Sequence, residues 1–409
     1  MSSPMNATMN ATPGPIPAHV PPNLVRDVDV HNLVGGSDNP YLAWSWVQQS
    51  APDIFYTPRY GGYWVMNRAE YFTQVFNDHD RFSSTCNPMI PEPPPGTPPF
   101  IPLQNDPPDH RFYRHPFAMA LSPQRIRDLG AHARAIVVER IDSFLAKGEC
   151  EFVHEMALHV PVGIIMKLLD LPFEDRARLF PLVDTLMHGK DMIERGHSVV
   201  GIMAYVDEWI VKRKQNPGND FISHYLKSSV DGRPIMDHEV SAAVTVVIIG
   251  GLDSVSHSMC GMMRFLAEHP GHQQQIVDHP EIIPDALEEL LRRHSVTSTT
   301  RILTKDVELG GVSMKKGERV ILELCLHGLD EKQWPDPLQV DFSRKPKGIM
   351  NFGSGIHKCV GGNLARAELR ALLEEWFRRI PRFTIKPGAR VKTMTGQSQG
   401  MSYLPLVWA

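Results

Sequence analysis

The residue best placed for chemistry in this sequence is Cys359, in the stretch Phe352-Gly353-Ser354-Gly355-Ile356-His357-Lys358-Cys359-Val360-Gly361-Gly362. Glycines stand on both sides of it, and glycine leaves room where a flat group or another backbone must approach closely. A helix is expected directly afterwards, over 363–380, with Ala365, Leu369, Leu372, Trp376 and Ile380 at steps of three and four. A thiol just ahead of a helix N-terminus faces unpaired backbone N–H groups and the positive end of the helix dipole, which favour the thiolate. His357 and Lys358 are expected to add positive character beside the sulfur. Such a thiolate can serve as an axial ligand of haem iron and push electron density toward O–O cleavage. The alternative is a small buried hydrophobe, the ordinary state of a free cysteine. That is the reading given to Cys86, Cys150, Cys260 and Cys325.

A second constellation is Gly250-Gly251-Leu252-Asp253-Ser254, inside a long apolar segment expected to be helical over 238–268 with Asp237 as its cap. Between Glu239 and Arg264 the only formal charge is Asp253. Two glycines in a helix cost about 1 kcal/mol each relative to alanine, and a buried carboxylate costs more unless it is paired. The glycines could serve close helix packing. The reading preferred is an interruption of the helix that opens a groove for dioxygen, with Asp253 and Ser254 beside it to relay protons. Elsewhere, His110 and Arg114 lie four apart and so share a helix face suited to a carboxylate. Glu289 and Arg292 can pair at three residues' spacing on a helix expected over 284–293.

The elements that must hold these groups are mostly helical. Helices are expected over 40–49, 68–77, 122–167 (two or three), 173–216 (several) and 284–293, and a hairpin over 54–66 turns at Gly61-Gly62. Strands are expected near Ile302 and over 307–309, 312–314 and 319–324, and a closing hairpin turns through Gly396-Gln397-Ser398-Gln399-Gly400. The proline-rich loop 83–108 is either a linker or a lid, and its apolar Met89, Ile90, Phe100 and Ile101 favour a lid over a pocket. The segment 187–193 is a plausible second wall of that pocket. The first 22 residues read as a mobile tail preceding one domain over 23–409. The central segment is too rich in hydroxyls and too interrupted to read as a membrane span, and apolar all round means buried in a large core. The chain has 409 residues, a net charge of −4 and five scattered cysteines. These point away from nucleic acid and from disulfides, and toward a soluble protein of the reducing cytoplasm.

The pattern Phe-Gly-x-Gly-x-His-x-Cys-x-Gly around Cys359 resembles the haem-binding loop of the cytochrome P-450 family. The likeness extends over nearly the whole chain beyond the tail. It most resembles the bacterial camphor hydroxylase group, through Gly250-Gly251-Leu252-Asp253, Glu288-Glu289-Leu290-Leu291-Arg292-Arg293, Arg301-Ile302-Leu303-Thr304, Val340-Asp341-Phe342-Ser343-Arg344 and Leu404-Pro405-Leu406-Val407-Trp408. The resemblance implies a mainly α fold, triangular, with a smaller β region and a long central helix over haem b. It implies that Cys359 is the axial iron ligand and that Phe352 and Gly353 shape its loop. His110, Arg114, Arg301 and His357 would bind the haem propionates, and Asp253 and Ser254 would deliver protons. Glu289 and Arg292, completed by Arg344, would form a structural ion pair. Met89, Phe100, Val246, Ile249, Thr297 and Gln397 would line the substrate pocket.

The departures from that group fall where substrate is chosen. Ser254 stands for the usual threonine, Pro98 for a ketone-binding tyrosine, Met89 for a phenylalanine, and Gln397 and Ser398 for two aliphatic residues. A propionate-side acid is matched by Thr299. The expected activity is therefore hydroxylation of a different small apolar molecule: a cineole- or camphor-like monoterpenoid, or an ionone-like norisoprenoid. It would use O2 and two electrons from NAD(P)H, delivered through a reductase and an acidic [2Fe-2S] ferredoxin docking at Arg111, Arg114 and Lys358. A peroxide-dependent haem enzyme would not need the Asp253-Ser254 pair, and a haem-based redox sensor would not need a roomy pocket.

Overall fold

Apolar residues gather into two cores. One is built by helices around the central helix, and the other by the sheet formed from the first hairpin and the segment 298–323. The computed structural model describes residues 12–92, 97–188 and 192–409. The prolines 93–95 of the expected lid, most of the expected wall 187–193 and residues 1–11 of the expected tail lie outside the described residues or their side chains. Residues 12–22 run along the first hairpin: Gly14 N–H donates to the Pro58 carbonyl at 2.9 Å, and Val20 is buried.

The helical body comprises Pro123–Phe144, His159–Leu169, Arg176–His188, Met192–Gln215, Asp237–Glu268, Ile283–Arg293 and Gly362–Arg379. The 32-residue helix Asp237–Glu268 runs through its middle, about 48 Å long at 1.5 Å per residue. Neighbouring helices cover it on several sides, and two thirds (67%) of its most apolar window is buried. It is a core helix whose apolar surface faces protein.

Two details of this helix correct the sequence reading. Its N-cap position is Met236, whose N–H donates to Glu239 at 2.8 Å, while Asp237 lies inside the first turn and pairs with Lys214. The helix also runs unbroken through Gly250-Gly251. The two glycines do different things. A Cβ at Gly251 would lie 2.4 Å from Ile165, so that glycine lets His159–Leu169 pack close, whereas a Cβ at Gly250 would meet nothing within 4 Å. Close packing therefore explains one glycine and open space beside the helix the other.

The larger sheet orders its strands Ile54–Thr57, Tyr63–Met66, Arg319–Glu323, Ser298–Leu303 and Phe82–Ser83. Only the pairing of Tyr63–Met66 with Arg319–Glu323 is parallel; it brings segments some 250 residues apart side by side. The strand expected over 319–324 stops at Glu323, because Leu324–Leu329 turns into a short buried helix. The closing hairpin pairs Lys392–Met394 with Gly400–Tyr403. Glu289 and Arg292 are fully buried and bonded at 2.8 Å, with Arg344 joining Glu289 at 3.1 Å, as the spacing and the resemblance implied.

Candidate active site

The cysteine loop is built by backbone bonds. Cys359 N–H donates to the Phe352 carbonyl at 2.8 Å, and Gly353 N–H donates to Met350 at 2.8 Å. Gly353 and Gly355 have φ of +65° and +67°, which glycine adopts without strain. At Gly355 a Cβ would also lie 2.3 Å from the Phe76 carbonyl oxygen. Phe352 packs its ring beneath the Arg366 guanidinium, 4.5 Å from ring centre to Cζ. The helix Gly362–Arg379 follows at once, amphipathic as its spacing predicts.

Cys359 is the one accessible cysteine; the other four are buried. Its thiol nevertheless has a raised pKa, because surrounding protein desolvates it. The Gly361 N–H, Arg114, Arg366 and the Gly362 N–H all pull the pKa back, and burial outweighs them. This corrects the expectation that the loop by itself yields a thiolate. Coordination to haem iron would supply the missing stabilisation, since a coordinating thiol is deprotonated outright.

Beside the sulfur, His110 opens the helix His110–Ala120, and its ring meets that of His357 edge-on, centroids 4.4 Å apart. Nε2 of both histidines is buried without a hydrogen-bond partner among the described residues. Burial and the charges of Arg301, His110 and Arg114 push the His357 pKa down to about 3, so its ring is neutral and does not add the positive charge expected of it. His110 is lowered too, by burial and by Arg114. Arg301 is buried on the strand Ser298–Leu303, where its guanidinium donates to Thr299 Oγ1 at 3.1 Å and to the Thr300 carbonyl at 2.7 Å. Arg114 donates to the Lys358 carbonyl, next to the cysteine. Two orphaned imidazole nitrogens and two guanidinium groups make a donor set matched to a pair of carboxylates. Haem propionates fit it.

On the central helix, Asp253 is 7% exposed, and Ser254 Oγ donates to the Gly250 carbonyl at 3.1 Å. Sequence reasoning missed two neighbours of the acid. His257 Nδ1 lies 3.3 Å from Asp253 Oδ2, and buried Arg195 from the helix Met192–Gln215 has its charge supported by Asp253 against desolvation. The i, i+4 spacing of Asp253 and His257 was the available signal for the first; nothing local marked the second. Asp253 also lines a cavity of about 20 Å³, room for a single water, between this helix, His159–Leu169 and Arg176–His188.

Of the expected pocket residues, Val246 and Ile249 are half-buried on the central helix, and Phe100 is buried in the proline-rich loop with Ile90 and Ile101. Met89 is half-buried, and Thr297 bridges Ser398 of the closing turn. Gln397 is engaged at both ends: its Oε1 accepts from Ile90 N–H at 3.3 Å, and its Nε2 donates to the Ser298 carbonyl at 3.1 Å. Its amide thus clasps the lid and is not free to meet a ligand.

With this geometry in place, comparison with known proteins is decisive. The Cytochrome P450 family model matches residues 162–405. The chain belongs to the cytochrome P450 family. It is 32% identical over 402 residues to the probable cytochrome P450 127A1 of Sinorhizobium fredii, covering 96% of each chain. Among solved structures it is similar to cytochrome P450 CYP101C1, with a TM-score of 0.89 and 32% identity over 96% of this chain and 100% of that one. CYP101J2 matches as well, with a TM-score of 0.89 and 32% identity over 97% of this chain and 100% of that one. The protein is thus a haem-thiolate monooxygenase that uses O2, with haem b held by a cysteine thiolate, in a mainly α P450 fold.

Proposed function

We propose that this P450 hydroxylates a compact, mostly apolar terpenoid, a cineole- or camphor-like monoterpenoid first and an ionone-like norisoprenoid second, with Cys359 as the axial ligand. Bound haem supplies dioxygen activation and insertion of one oxygen atom into a C–H bond. His110, Arg114, Arg301 and His357 would hold the propionates. The lid excludes water, since Ile90, Phe100 and Ile101 turn inward and Arg319 donates to the Met89 carbonyl at 2.9 Å. Asp253 would pass a proton through its carboxyl, and Ser254 orients a hydroxyl beside it, both at the helix segment that Gly250 leaves open.

The observation that carries the substrate reading is the character of the pocket candidates. Met89, Phe100, Val246 and Ile249 are apolar, and the one amide among the six, Gln397, is spent on the lid. Such a pocket binds by shape and apolar burial. Titrating the ferric protein with monoterpenoids and ionones while following the Soret band tests it. A larger shift with cineole than with camphor is expected, because Pro98 offers no donor to a ketone. A larger shift with camphor would overturn the argument from Pro98, and no shift with any terpenoid would overturn the substrate class.

Electrons come from an acidic [2Fe-2S] ferredoxin reduced from NAD(P)H. Arg111 and Lys358 are exposed beside the cysteine loop, while Arg114 is turned inward onto the Lys358 carbonyl, so the first two carry the docking charge. Reduction by ferredoxin should slow with salt and slow further in Arg111→Glu.

A further inference from the structure

Asp253 does not stand alone on its helix. His257 lies one turn on, on the same face, and is 4% exposed. Its Nδ1 edge is turned to the acid, 3.3 Å from Oδ2. The ring itself packs against the Gly400 backbone: a Cβ at Gly400 would lie 2.1 Å from Cδ2, 2.2 Å from Cγ and 2.4 Å from Nε2. Gly400 does not have the positive φ that calls for glycine at Gly353 or Gly396. Its identity answers to the imidazole, since any side chain there would displace the ring. Gly400 begins the strand Gly400–Tyr403, directly after the turn in which Gln397 clasps the lid and Ser398 bridges Thr297.

We infer that His257 is the positioning residue for Asp253, wedged between the carboxyl and the Gly400 backbone so that the closing hairpin sets where the acid points. The inference rests on the reading of Asp253 as the proton-delivering acid. Two groups approach the carboxyl from different elements: the imidazole on its own helix, and Arg195 on Met192–Gln215. The imidazole holds the carboxyl toward the closing hairpin. The turn of that hairpin also carries Gln397, whose Oε1 accepts from Ile90 N–H.

The test compares His257→Phe, which keeps a ring, His257→Asn, which keeps a hydrogen-bonding edge, Asp253→Asn, and the double variant Asp253→Asn with His257→Phe. Three readouts are taken on the haem-loaded protein: the infrared carboxyl band of residue 253, denaturant unfolding, and the share of reducing equivalents recovered in product instead of peroxide. His257→Phe should shift the carboxyl band and lower that share several-fold, while the substrate-induced Soret shift stays. His257→Asn should recover most of both. The double variant should be less destabilised than the sum of the singles. Additive unfolding effects with an unshifted band would overturn the inference and leave His257 as packing. If Asp253→Asn loses coupling but His257→Phe does not, the positioning role falls alone. If Asp253→Asn keeps full coupling, the reading of the acid itself falls, and the inference with it.

Discussion

The cysteine side and the substrate side of this molecule are held together by different physics. Around Cys359 the chain is fixed by short-range backbone bonds and by glycines at positive φ, and the Glu289–Arg292 pair that ties the helix Ile283–Arg293 to the segment 337–344 has no exposed surface. By contrast, the described part of the loop 83–108 is held by single bonds reaching far along the chain. Ile90 N–H reaches Gln397 at 3.3 Å, the Ile90 carbonyl meets His31 at 2.5 Å, and Arg319 reaches the Met89 carbonyl. The first arrangement resists opening, because removing one partner strands a buried charge. The second can release one bond at a time, at about 1 kcal/mol each. A P450 needs both: a fixed sulfur, and a wall that lets substrate in.

Breaking the buried pair should have the largest effect. Glu289→Gln or Arg292→Met should cost roughly 3–5 kcal/mol of stability in denaturant unfolding, and a loss under 1 kcal/mol would remove the distinction between the two sides. Next comes Glu323, fully buried between the sheet and the closing hairpin, with Oε2 accepting from Gln399 at 3.2 Å and Oε1 unpartnered among the described residues. Burial pushes its pKa up to about 8. Between the ordinary carboxylate value and pH 8 the folded state binds a proton that the unfolded state has lost. Its contribution to stability therefore falls as pH rises, by about 1.4 kcal/mol per pH unit, and levels off above pH 8. Glu323→Gln should remove that slope and be the more stable protein at pH 8; an unchanged slope in urea unfolding from pH 5 to 8 would count against it.

His357→Ala should cost about 1.5–3 kcal/mol of haem affinity, the worth of a bond to a charged group, read as faster haem transfer to an acceptor protein. The smallest effect is expected from Gln397→Ala, with substrate binding weaker by roughly fivefold and unfolding little changed. A large loss of stability there would mean that the clasp belongs to the rigid side after all.

The same contrast decides what the sequence could show. The cysteine loop, the Glu289–Arg292 pair, the helix Gly362–Arg379 and the first hairpin are encoded in short runs of residues, so spacing and turn chemistry revealed them. Arg195 beside Asp253 and Gly400 against His257 join segments far apart in sequence, and no local pattern marks them. The unbroken central helix was misread for a related reason: two glycines look like a break until Ile165 is seen filling the space that one of them leaves. The Cys359 pKa was misread because desolvation depends on everything packed around the loop, while the helix dipole could be read from the next few residues.

The central claim is that Cys359 binds the iron as thiolate, and the carbon monoxide complex of the reduced protein tests it most directly. The wild-type protein should give the red-shifted Soret band of a thiolate-ligated P450, and Cys359→His should convert it to the histidine-type band while His110 and His357 keep the haem bound. A histidine-type band in the wild-type protein, or a thiolate band that survives Cys359→His, would contradict it.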